Sequence, residues 1–81
     1  MSGNPVTEAR HKLGLTRKEF CQGAGLRLDG LYVIESGLTR RPSDAVLEFL
    51  ESVGLRRDDI LSDWGAYRQE LKQAILNKAA T

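Results

Sequence analysis

Apolar residues at Val46, Phe49, Leu50 and Val53 fall at i, i+3, i+4 and i+7, the spacing that lines one face of a helix. Pro42 forbids helix before this stretch, Ser43 is suited to cap it and Gly54 to end it. Asn4-Pro5 opens an earlier short helix, as an N-cap followed by proline at the first helical position. That helix is predicted to run to about Leu13, with Val6, Ala9 and Leu13 inward, Arg10 near the same face and Gly14 closing it. Beyond Gly54, Leu55, Ile60 and Leu61 predict a short fifth helix, with Asp58 and Asp59 at the positive end of its dipole. From Ser62 or Asp63 a longer helix is predicted to about Ala79, its apolar positions being Trp64, Tyr67, Leu71, Ala74 and Ile75.

The segment from Leu15 to Gly37 organises the rest. Thr16 and Glu19 have the spacing of a capping box, and Leu15 and Phe20 that of a hydrophobic staple. The helix so begun is expected to stop at Gly23-Ala24-Gly25, where glycine accepts a left-handed turn. A second short helix follows, with Leu31 and Ile34 on one face and Gly37 after it. Two short helices across a tight glycine turn describe a helix-turn-helix. The chain therefore reads as all-α: a compact five-helix unit over residues 1–61 with an additional C-terminal helix over 62–81.

Composition narrows this picture. Eighty-one residues make one domain at most, and 41% apolar content is that of a globular chain with a small core. One cysteine excludes an internal disulfide and fits a reducing cytoplasm. The first residues lack a signal peptide's apolar run, and no stretch is long and apolar enough to cross a membrane. Net charge is only +1, but it is unevenly spread. Residues 1–41 hold seven basic and four acidic side chains, whereas residues 42–81 hold five basic and seven acidic. The positive half coincides with the helix-turn-helix, as a surface facing a polyanion would require.

Catalysis finds no footing. His11 is the single histidine and lies between Arg10 and Lys12. Cys21 has no histidine at helical spacing and is expected in the core. Asp58, Asp59 and Asp63 match no cation-loop spacing and are explained by the start of a helix. Gly23-Ala24-Gly25 is too short to cradle a phosphate. The expectation is a non-enzyme without metal or cofactor.

Together these features resemble the Cro and phage-repressor (XRE-like) type of helix-turn-helix DNA-binding proteins, with a lambda-repressor-like fold. The resemblance spans roughly residues 6–61 without gaps. It is carried by Arg10, Gly14-Leu15-Thr16, Glu19, Gly25, Leu31, Ile34, Glu35, Gly37, Thr39-Arg40-Arg41-Pro42 and Val53-Gly54-Leu55. It implies a structural ion pair between Arg10 and Glu35, which makes sense only if both members are kept. It also implies a transcriptional regulator, most simply a repressor, that binds an inverted repeat in double-stranded DNA as a homodimer. Arg27 then stands where the second helix meets the major groove, able to pair with guanine O6 and N7. Leu28 and Val33 are able to touch thymine methyls. Asp29 is suited either to accept from cytosine N4 or to orient Arg27, and Tyr32 either to pack on its helix or to bond a phosphate. Arg17, Lys18, Thr39, Arg40 and Arg41 are the expected phosphate contacts. Trp64, Tyr67, Leu71, Ala74 and Ile75 are the expected dimer seam, with Trp64 and Tyr67 also able to fold back on their own core.

The sequence departs from the family pattern at the reading helix. Arg27, Leu28, Asp29 and Gly30 stand where serine, threonine and polar readers are usual, and arginine stands at 17 in place of glutamine. Cys21 replaces a small alanine. A second class of function therefore stays open: a protein-interaction module of the same fold with weak or no DNA reading, itself an antirepressor or antitoxin-like partner, favoured by apolar Leu28, Tyr32 and Val33. A protein antagonist is a further candidate partner.

Overall fold

In the structure, a computed structural model that describes residues 3–80, the helical pattern becomes five helices. They are α1 (Pro5–Lys12), α2 (Arg17–Ala24), α3 (Leu28–Glu35), α4 (Asp44–Ser52) and α5 (Arg57–Ala79). No strand occurs among the described residues. Helix α1 packs on α3 and α5, α2 on α3 and α4, and α4 on α5.

The helix starts follow from local chemistry. Asn4 caps α1 by accepting from the Val6 and Thr7 amides. Thr16 and Glu19 form the reciprocal capping box of α2, and the Ser43 hydroxyl accepts from Val46 at the start of α4. These bonds satisfy amide donors that have no partner within their own helix. Helix α3 lacks such help: Arg27 occupies its cap position without a side-chain bond.

The core gathers Val6, Phe20, Leu31, Val46, Leu47, Leu50 and Trp64, each almost wholly withdrawn from solvent, with Cys21, Ile34 and Ile60 beside them. Full burial of one such large side chain is worth about 1.5–3 kcal/mol. Phe20 meets Phe49 edge to face at 5.1 Å between centroids.

Three expectations are corrected here. The separate fifth and C-terminal helices are one helix of 23 residues, and no boundary falls at 61/62. Ile60 and Trp64 are four apart on one face and both reach the core, so an unbroken helix buries them together. Helix α2, by contrast, ends within the expected Gly23-Ala24-Gly25 segment. It runs to Ala24, and Gly25 supplies the left-handed cap at φ 69°. Gly23 permits close packing, since a Cβ there would lie 2.5 Å from the Phe49 ring. In α4 the buried residues are Val46, Leu47 and Leu50, whereas Val53 is a C-cap exposed to solvent. Helix α4 touches both α2 and α5, so its apolar arc is wider and rotated from the single stripe. Trp64, expected on a dimer seam, is 1% exposed within its own core and offers nothing to a partner.

Gly37 ends α3 at φ 79°, and a Cβ there would fall 2.7 Å from Leu71 Cδ1 and 2.8 Å from the Tyr67 hydroxyl. By contrast Gly30, inside α3, has open space around it. We expect Gly37→Ala to cost about 2–4 kcal/mol from backbone strain and overpacking. Gly30→Ala should stabilise by roughly 1 kcal/mol through helix propensity. Urea unfolding of the two variants should move the midpoint in opposite directions.

Candidate functional site

The Glu35 carboxylate, at the end of α3, is the point where three elements meet. Its Oε1 accepts from Arg10 Nε at 2.9 Å and from the Thr7 hydroxyl at 3.0 Å, and its Oε2 accepts from Arg17 Nε at 2.8 Å. The Arg10 and Glu35 side chains are each only 7% exposed. Arg10 Nη1 also donates to the Leu15 carbonyl at 3.0 Å, and Nη2 lies 3.2 Å from His11 Nε2. One buried guanidinium thus joins α1, the α1–α2 turn and α3. The ion pair implied by the resemblance is formed.

Asn4 reinforces the same corner. While its Oδ1 caps α1, its buried Nδ2 donates to the carbonyls of Ile34 and Glu35, both at 3.0 Å. A single side chain therefore caps the start of one helix and the end of another. The sequence marks Asn4 as a cap through the proline after it, but carries no signal for the second role, which depends on a residue 30 positions away.

Burial, the largest influence on Glu35, pushes its pKa up. Hydrogen bonds from Arg17, Arg10 and Thr7, with the charge of Arg10, outweigh it and leave the carboxyl below its ordinary value. Glu19 is also lowered, by the backbone amide and hydroxyl of Thr16. The Cys21 thiol is raised, first by burial and then by Glu35. It donates weakly to the Arg27 carbonyl at 3.7 Å, so it braces the α2–α3 turn and is no poised nucleophile.

With Leu31 and Ile34 held in the core, α3 turns its other face outward. Leu28, Tyr32 and Val33 are exposed there. The Arg27 side chain is 90% exposed, and its Nε lies 3.6 Å from Asp29 Oδ1, a loose orienting contact. Asp29 itself accepts from the Gly30 amide. A groove between the start of α2 and α3 is lined by Thr16, Arg17, Lys18, Leu28 and Tyr32 over the edge of Arg10. Arg17 stacks on Tyr32, its guanidinium carbon 5.2 Å from the ring centroid. Its Nε is held by Glu35, yet nearly half of the side chain stays open to solvent. Leu28 and Tyr32 of the expected base-contacting set therefore share one groove with Arg17 and Lys18, while Arg27 and Asp29 are exposed at the start of α3.

The α3–α4 loop is a second cationic element. Arg40 and Arg41 are exposed, and Arg41 pairs with Asp44 at 3.2 Å on the surface. Thr39 departs from its expected role. Its hydroxyl is buried without a hydrogen-bond partner and its carbonyl is turned toward α5, so the hydroxyl is not presented to solvent as a phosphate donor. Of the expected dimer residues, Tyr67 and Leu71 lie half-buried against the core side and Gly37, whereas Ala74 and Ile75 are exposed. Leu38 (77% exposed), Ile75 (67%) and Leu76 line one groove with Leu71. Leu38 and Leu76 were not legible as members of this patch, because Leu38 belongs to another part of the chain and Leu76 breaks the three-four spacing.

Among the described residues no group of three His, Cys, Asp or Glu side chains is placed to hold a metal ion. No helix is long and apolar enough to cross a membrane. No family model, curated protein or solved structure matches the chain.

Removing the Glu35 carboxylate leaves Arg10 buried and unpaired. We expect Glu35→Ala to cost about 3–5 kcal/mol in urea unfolding. A loss below about 1 kcal/mol would contradict a buried pair. Because folding lowers this carboxyl's pKa, its stabilisation is fully present above the ordinary value of 4.5 and is lost as pH falls through the lower folded value. Glu19 acts in the same direction. Unfolding followed from pH 7 to 3 should show the wild-type chain losing stability in acid, with a shallower decline in Glu35→Gln.

Proposed function

We propose that the chain is a small sequence-specific DNA-binding regulator of transcription, of the Cro-like helix-turn-helix kind, acting as a homodimer on an inverted repeat. The single observation that carries this reading is the outward face of α3. Leu31 and Ile34 anchor the helix, and its buried end is tied by Glu35 to α1 and α2, so Arg27, Leu28, Asp29 and Tyr32 are presented on a rigid support. The Arg27 side chain is almost fully exposed and able to bond in bidentate fashion, the combination suited to guanine in the major groove. Lys18, the open part of Arg17, Arg40 and Arg41 supply cations for the sugar-phosphate backbone.

Repression by occupying the operator is the mode we propose. A single eight-residue reading helix spans too few base pairs for useful specificity, which is the physical case for two copies. Leu38, Leu71, Ile75 and Leu76 form the apolar groove best suited to bring them together.

A second reading, that the chain is a protein-interaction module such as an antirepressor or antitoxin-like partner, is supported by Leu28, Tyr32 and Val33, which give the same face apolar area suited to binding a protein. Mobility-shift titration against random duplex at low and moderate salt separates the two. Phosphate binding must weaken steeply with salt, whereas a protein-binding module would show no shift at either concentration.

Arg27→Ala is expected to cost about 1–3 kcal/mol on the specific site and to relax preference at one base pair per half-site. Arg41→Ala should weaken all duplexes alike and lower the salt slope by about one unit. Equal losses on specific and random DNA for Arg27→Ala would make Arg27 a phosphate contact instead. For assembly, Ile75→Lys combined with Leu76→Lys should give monomers by sedimentation, while dimers persisting at micromolar concentration would place the interface elsewhere.

A further inference from the structure

The α3–α4 loop has no regular structure, yet it is held at three points. Gly37 is packed beneath Tyr67 and Leu71 of α5. The Thr39 carbonyl accepts two donors from the same helix, the Trp64 indole N–H at 3.4 Å and the Arg68 guanidinium Nη1. Pro42 is wholly buried. Between the last two anchors lie only Arg40 and Arg41, both exposed.

We propose that Arg68 is a positioning residue for the Arg40-Arg41 pair, acting through the Thr39 carbonyl. A carbonyl has two lone pairs, and here both are engaged by α5, one of them by a cation, which gives the stronger bond. The Thr39 hydroxyl contributes no bond of its own, so the segment's polar attachment to α5 runs through that carbonyl, the other polar tie being the exposed Arg41–Asp44 pair to α4. Two residues spanning fixed ends have little backbone freedom. Arginines ordered in advance lose less entropy when they engage a ligand. Arg68 is itself half-buried, its stem in the groove with Gly37, Leu38 and Leu71. Its charge is thus directed at a backbone oxygen. The DNA reading above enters only in the consequence for phosphate binding; the anchoring stands apart from it.

The test uses Arg68→Met, which keeps the packing of the stem and removes the donor, and Arg68→Lys, which restores a charged donor. Backbone amide relaxation of the free protein should give order parameters near 0.85 for Thr39, Arg40 and Arg41 in the wild type. In Arg68→Met they should fall below about 0.6, with the helices unchanged, and Arg68→Lys should recover most of the loss. Loop order unchanged in Arg68→Met, or lost together with the order of the helices, would overturn the proposal. On random duplex the salt-slope decrease of Arg41→Ala should shrink in the Arg68→Met background, and fully additive effects would also overturn it. Loop order that depends on Arg68 in a chain that binds no duplex would leave the positioning role intact and refute the DNA reading alone.

Discussion

One carboxylate determines whether the three N-terminal helices hold a common geometry. Glu35 is contacted by Thr7 and Arg10 from α1 and by Arg17 from α2, while its own backbone carbonyl is taken by Asn4. A buried ion pair of this kind is weak evidence of net stability, because desolvation offsets much of the attraction. Its effect lies in geometry. Arg10 requires a partner wherever it is buried, and Glu35 satisfies it only when α3 lies in one orientation across α1. The polar network therefore restricts how the apolar core can pack.

The outward face of α3 inherits its order from that restriction. The helix has no side-chain cap and carries Gly30 in its interior, so alone it would be a poor helix. Leu31, Ile34 and the Glu35 network supply what local propensity lacks. Arg17 belongs to both halves of the arrangement: its Nε completes the buried network, while its plane covers Tyr32 on the surface. A change at Glu35 thus reaches the presented face through Arg17 as well as through α3 itself.

Helix α5 orders the loop that follows the same end of α3. Its first half buries Ile60 and Trp64 and closes over Gly37, and its second half continues into solvent. At about 1.5 Å per residue, 23 residues extend roughly 34 Å, most of the molecule's 42 Å long axis. The same helix thus holds the basic loop through Thr39 and presents Ile75 and Leu76 beyond the core.

The sequence alone determined what depends on neighbours within a turn or two. The caps at Asn4, Thr16 and Ser43, the left-handed turn at Gly25, the all-helical class and the inward Leu31 and Ile34 all rest on short-range spacing. Arg10 with Glu35 was legible only through a resemblance, since no local rule joins positions 25 apart. Tertiary structure decided the rest. The close packing of Gly23 depends on Phe49 arriving against it, and Leu47 lies outside the four-residue stripe until α4 is seen against both α2 and α5. Trp64 fits a seam equally well on spacing, but the small core needs its volume. Thr39 resembles a phosphate ligand until α5 draws its carbonyl inward and buries its hydroxyl. In each case a helix face or a polar group has several partners compatible with its spacing, and only the packing of distant elements selects one.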